Sequence, residues 1–151
     1  MGLDKWAIEG DEEKYALSEE SAAGCVKELL KFYRIKPDKI DKKIAPNISQ
    51  TLETLQEAYR LGTLENARNE DGGIMVVQTV KGRKDGKDTI TYREPAGKDK
   101  RVMDNYEPTE YYQRMQALLG KLSGLGPDII GELKRDDLRV AEALALVFFM
   151  G

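Results

Sequence analysis

Histidine is absent from this chain. Its absence removes the usual general base, most serine and cysteine triads, and most transition-metal sites. Cysteine occurs once, at Cys25, so neither an internal disulfide nor a cysteine zinc site can be built. That usage fits a reducing, cytoplasmic compartment. A surplus of positive charge is missing too: 24 Lys and Arg against 27 Asp and Glu leave a net charge of -3. Nucleic-acid binders usually carry a basic excess, so this balance argues against nucleic acid as a partner. The opening stretch MGLDKWAIEG has no apolar core of signal-peptide length. The longest apolar run, ALALVFFM near the C-terminus, falls far short of the roughly 20 residues that cross a bilayer, so no membrane contact is expected.

What is present is the material of a folded domain. The chain has 151 residues, 40% hydrophobic and 34% charged, enough apolar mass for a core and too much for a disordered chain. Residues 1–17 are polar with apolar islands at Trp6, Ile8, Tyr15 and Leu17, and read as an arm or docking segment. Ser18 then offers an N-cap, followed by Glu19 and Glu20 where a helix dipole favours acids. Ala22, Val26, Leu29, Leu30 and Tyr33 recur at helical spacing, which predicts a helix over about 18–34. Lys31 and Arg34 sit near its end, and Cys25 is a small core residue within it. Ile40 and Ile44 fit a helical turn closed by Pro46. Asn47 caps a second helix with Gln50 as its capping-box partner, Ile48, Leu52, Leu55 and Tyr59 as its stripe, and Gly62 just past its end. TLENARNED reads as a weak helical turn before the Gly72-Gly73 break.

The period then changes. GGIMVVQTV and TITYR are β-type runs around the polar loop KGRKDGKD, which predicts a hairpin with Ile90 and Tyr92 on one face. A lone hairpin is marginal in water, so it must lie on helices or pair its edge with another chain, which leaves self-association open. Pro95 ends the second strand because it has no N–H for a ladder. PAGKDKRVMDNY follows as a helix with Val102, Met103 and Tyr106 inward. Thr109 caps EYYQRMQALLGKLSG, with the stripe Tyr112, Met115, Leu119 and Leu122, and Gly124 ends it. Gly126-Pro127-Asp128 starts a short helix with Ile129, Ile130 and Leu133, and Asp136 caps the last. The fold class is therefore α+β, mostly helical, with one β-hairpin packed on or beside helices. The Gly72-Gly73 break divides a helical region, 1–72, from a hairpin and helical region, 73–151.

Candidate chemistry is thin. The carboxylate runs Asp11-Glu12-Glu13, Glu19-Glu20, Glu70-Asp71 and Asp136-Asp137 fall on caps, loops and helix ends, where solvation and helix dipoles explain them. No catalytic residue, cofactor motif or metal set is read from the chain, and an enzyme is not expected. Lys81, Arg83, Lys84 and Lys87, with GKDKR at 97–101, fit either a contact to phosphate or to an acidic partner, or a solvated hairpin tip that resists edge aggregation. Tyr111 and Tyr112 lack the basic interleaving of a base-stacking platform. The terminal helix is apolar on nearly every side, so it is either central to the core or covered by a partner.

Three stretches carry a resemblance: ITYREPAGKDKRVM (90–103), LSGLGPDIIGEL (122–133) and RDDLRVAEALALVFF (135–149). In this order they resemble the tail assembly chaperones of long-tailed bacteriophages, particularly the Mu-like group, over about residues 88–150. The resemblance implies a non-enzymatic protein that transiently holds the phage tape-measure protein in the bacterial cytoplasm and is absent from the mature virion. On that reading the partner-binding surfaces are the terminal helix, through Leu144, Val147, Phe148 and Phe149, and the hairpin face, through Val76, Ile90 and Tyr92. Truncation at Ala143 then removes binding and leaves the remainder folded. The rival expectations are a small nucleic-acid-binding or regulatory module and a structural virion component.

Overall fold

The structure, a computed structural model, describes residues 15–39, 48–81 and 83–150. Trp6 and Ile8 of the arm, and Ile40, Ile44, Pro46 and the expected cap Asn47, lie outside the described residues. Helix α1 spans Glu19–Phe32 and starts at the predicted cap: Ser18 Oγ accepts from the Ser21 N–H at 3.1 Å. Its buried stripe is Ala22, Val26, Leu29 and Leu30. Helix α2, Ile48–Leu61, packs against α1 and buries Leu55, Ala58 and Tyr59. It ends in a Schellman turn. Gly62 adopts φ 80°, its N–H donates to the Tyr59 carbonyl at 3.1 Å, and the Thr63 N–H reaches the Ala58 carbonyl at 2.9 Å.

The sheet has three antiparallel strands in the order β1-β2-β3, where β1 is Leu64–Arg68, β2 is Ile74–Thr79 and β3 is Thr89–Tyr92. The predicted hairpin is β2–β3, with Val76 opposite Tyr92 and Gln78 opposite Ile90. Strand β1 replaces the expected helical turn. Its residues favour helix, but pairing with β2, from Leu64 opposite Gln78 to Arg68 opposite Ile74, overrides that preference. Asn66 pins the strand to both preceding helices: its Oδ1 accepts from Tyr59 Oη at 2.5 Å and its Nδ2 donates to the Cys25 carbonyl at 3.2 Å. Gly72 and Gly73, read from the sequence as a seam, belong to the turn joining β1 to β2, closed by Asn69 Oδ1 on the Gly73 N–H at 2.7 Å. One apolar core runs through both sides of that turn.

Past β3 the chain leaves the sheet as Pro95 requires, and the Arg93 N–H donates to the Leu122 carbonyl at 3.2 Å. The expected α-helix is a 3-10 helix, Gly97–Asn105, which turns Met103 inward and leaves Val102 and Tyr106 half-buried. Helix α3, Tyr111–Ser123, begins one residue after Glu110, and no side chain of Thr109 caps it. Its buried stripe is Met115, Leu118, Leu119 and Leu122, whereas Tyr112, in the first turn and expected in that stripe, is 62% exposed. Helix α4, Pro127–Gly131, folds back so closely that a Cβ on Gly120 would lie 2.4 Å from the Gly126 carbonyl carbon. Helix α5, Arg135–Met150, takes Asp136 into its first turn rather than as a cap. It packs on α2 and α3 at the centre of the molecule. Buried Gln78 ties its start to the sheet, accepting from Tyr92 Oη and donating to the Asp137 carbonyl, both at 2.8 Å.

Candidate functional site

The residues expected to meet a partner turn out to be the core. Leu144, Val147, Phe148, Val76 and Tyr92 are wholly buried, Ile90 is buried, and Phe149 is half-buried. Phe148 lies between Tyr33 and Tyr92, with ring centroids 5.7 and 6.1 Å away. A helix apolar on all sides is stable when surrounded, and here the sheet, α2 and α3 surround it. As folded, the hairpin face and α5 offer the six buried side chains to no partner, and Phe149 alone of the seven keeps part of its surface open. A chain ending at Ala143 loses Leu144, Val147 and Phe148 from the core, so it should fail to fold rather than merely fail to bind. Circular dichroism of the truncated chain checks this.

The basic hairpin tip is also engaged internally. Arg83 Nη1 donates to the Thr89 carbonyl at 2.5 Å, and its Nε lies 2.8 Å from Asp85. Lys84 Nζ is 2.9 Å from Glu132. Two of the four cations proposed for phosphate therefore already face carboxylates of this chain. In the second basic stretch the buried residue is an acid. Asp99 is fully enclosed, accepts from Arg93 Nη1 and Nη2 at 2.7 and 2.8 Å, and accepts from the Ala96 N–H at 2.7 Å. The Arg93 bonds, with the Ala96 N–H, outweigh burial and hold its carboxyl down at about 2. A run written Gly-Lys-Asp-Lys-Arg gives no sign that its acid points inward. The helix period centred on Met103 is the one clue.

Burial first, and the Glu28 charge second, push the Cys25 thiol above its ordinary value. Burial also raises the Glu142 carboxyl and the Tyr33, Tyr59 and Tyr92 phenols. Among the described residues, no three His, Cys, Asp or Glu side chains are grouped to hold a metal ion. Nor is any described helix long and apolar enough to cross a membrane.

An open surface does exist at the C-terminal end of α1. The helix closes with a second Schellman turn: the Arg34 N–H donates to the Lys31 carbonyl at 3.1 Å and the Ile35 N–H to the Leu30 carbonyl at 2.9 Å. Arg34 stands in the left-handed region at φ 58°, the only non-glycine residue so placed among the described residues. The turn sets Ile35 beside Leu30, and together they floor a groove of about 670 Å³. Its rim is Lys27, Lys31, Arg34 and Lys36, whose aliphatic stems extend the apolar floor while their charges stay in water. A neighbouring groove of about 550 Å³ shares Lys27 and Lys31 and continues past Gly24 and Phe32 to Ile74. Its one acid, Glu28, is 3.9 Å from Arg68. No protein-family model, curated protein or solved structure matches the chain.

Proposed function

We propose that this chain is a tail assembly chaperone of a long-tailed bacteriophage. It holds the tape-measure protein in the host cytoplasm by contact alone, makes and breaks no covalent bond, and is left out of the finished particle. The observation that carries this proposal is how the three family-like stretches meet. Arg93 of the first donates its N–H to Leu122 of the second, and Lys100 Nζ of the first donates to the Phe149 carbonyl of the third at 3.1 Å. Gly120, just before the second stretch, admits the Gly126-Pro127 backbone that starts α4. Stretches that are separate in sequence thus form one packed unit, which gives a physical reason for their order and spacing. Burial of six of the seven expected contact residues, all but Phe149, leaves the outer helix faces to carry the partner surface.

Co-expression with the tape-measure protein of the same genome tests the proposal. A soluble complex, and purified particles that lack the chain, are the expected results. Tape-measure protein that aggregates equally with and without the chain would sink it. Recovery of the chain in mature particles would replace it with a structural virion role.

A further inference from the structure

We propose that the exposed strip running from Gly24 on α1 through its closing turn to Lys36 docks an acidic amphipathic helix of a partner protein. Charge complementarity selects the occupant. The floor is apolar, and the four rim cations have no carboxylate within ion-pairing distance among the described residues. That concentration of positive charge stands against a chain whose net charge is -3. A helix with one apolar stripe flanked by Glu or Asp would bury its stripe on Leu30 and Ile35 and offer carboxylates to Lys27, Lys31, Arg34 and Lys36.

Two residues on the strip go against local backbone preference. Gly24 lies inside α1, where glycine weakens a helix, yet a Cβ there would meet nothing within 4 Å. It shares a face with Lys27 and Lys31 at helical spacing, and its bare backbone lets a second helix approach closely. Arg34 keeps a cation on the rim at a position where α2 uses Gly62. An outlier of this kind, on an open surface, is where function is expected to override backbone comfort.

The inference stands apart from the tape-measure proposal, because it is tested on a synthetic helix. The probe is a labelled peptide of about five helical turns, with Leu at helical spacing flanked by Glu, alongside the same peptide with Gln in place of Glu. Anisotropy with the full chain should show the Glu peptide binding about tenfold tighter, the sum of a few exposed ion pairs. Added salt should erode that advantage. Lys27→Glu, Lys31→Glu and Lys36→Glu together should abolish it. Gly24→Leu should fold at least as well as the parent, with an unchanged or higher melting midpoint, yet bind the peptide about tenfold more weakly. Equal binding of the two peptides, or indifference to either variant, overturns the proposal. So does a single-stranded oligonucleotide that outcompetes the peptide and is lost with the triple variant, which assigns the strip to nucleic acid. A dimer in sedimentation that Gly24→Leu dissociates overturns it in favour of a second copy of this chain. A failed peptide assay beside a soluble tape-measure complex removes the strip and leaves the chaperone proposal intact.

Discussion

Helices α1 and α2 end in the same hydrogen-bonded turn, built on different residues. At the end of α2, Gly62 adopts φ 80° without steric cost, and its missing side chain also leaves room for Ala16, whose Cβ would sit 3.1 Å from an added Cβ. At the end of α1, Arg34 holds nearly the same conformation with a long cationic side chain. One turn is relaxed and closed over by the chain's own backbone. The other is strained and faces an open groove. The difference teaches that the shape of a helix end does not fix its residue; what lies outside the turn does.

The largest expected effect comes from beneath the strained end. Tyr33, the residue at which α1 ends, packs edge-on against Phe148, whereas the α2 turn rests against Ala16. Phe148→Ala should cost about 3–5 kcal/mol in denaturant unfolding, as for other buried aromatic truncations. Hydrogen exchange sharpens the comparison: the Ile35 amide should lose more protection than the Thr63 amide. Equal losses would show that the two turns share one support.

A third helix end is fastened by charge instead. Asp99 closes the start of Gly97–Asn105 by accepting from Ala96 while Arg93 holds it from the other side. Its folded value of about 2 lies below the unfolded carboxylate value, so the stabilisation is complete above about pH 4 and is lost as pH falls through about 2. The linkage amounts to about 2 kcal/mol. Glu142, raised by burial, acts in the opposite sense, so the informative measurement is the difference between parent and Asp99→Asn. That difference should shrink from pH 5 to pH 2, while the effects of substitutions at Gly62 and Arg34 stay level.

Much of this was legible in the sequence because the relevant signals are local. Ser18, Gly62 and Gly124 mark helix ends at the residues where the chain turns, and Ile90 and Tyr92 share the predicted face. Strand β1 was not legible, because Leu64, Glu65, Ala67 and Arg68 suit a helix and only β2 makes them a strand. The fate of Leu144, Val147 and Phe148 was not legible for another reason. A helix apolar on all sides looks the same whether its own fold or another protein surrounds it. The groove escaped notice because Leu30 reads as core, Arg34 as a favourable charge at a helix end, and Ile35 falls outside the helical stripe. Only the left-handed turn brings the three together at the surface. A break in the helical period without a glycine, just before Lys36-Pro37, was the available hint.

Breaking the relaxed turn comes next in size. Gly62→Ala forces a side chain into the left-handed region and against Ala16, and should lower stability by about 1–2 kcal/mol. A neutral result, read from the denaturant midpoint, would mean that Ala16 and the backbone yield together and that the relaxed turn needs no glycine.

The smallest effect decides the most, since Arg34→Gly gives α1 the residue that α2 uses. Relief of the left-handed strain contributes about 1–2 kcal/mol, while the freer unfolded chain takes back about 0.4–1. Loss of a cation near the helix C-terminus removes about 0.3 more. The net expectation is a gain of about 0.5 kcal/mol, visible as a slightly higher denaturant midpoint with an unchanged slope. If stability falls instead, the Arg34 side chain is stabilising its own fold, and the contrast between the two turns is internal bookkeeping. If stability rises while the Glu-bearing peptide binds more weakly, the strain at Arg34 is maintained for what the groove holds.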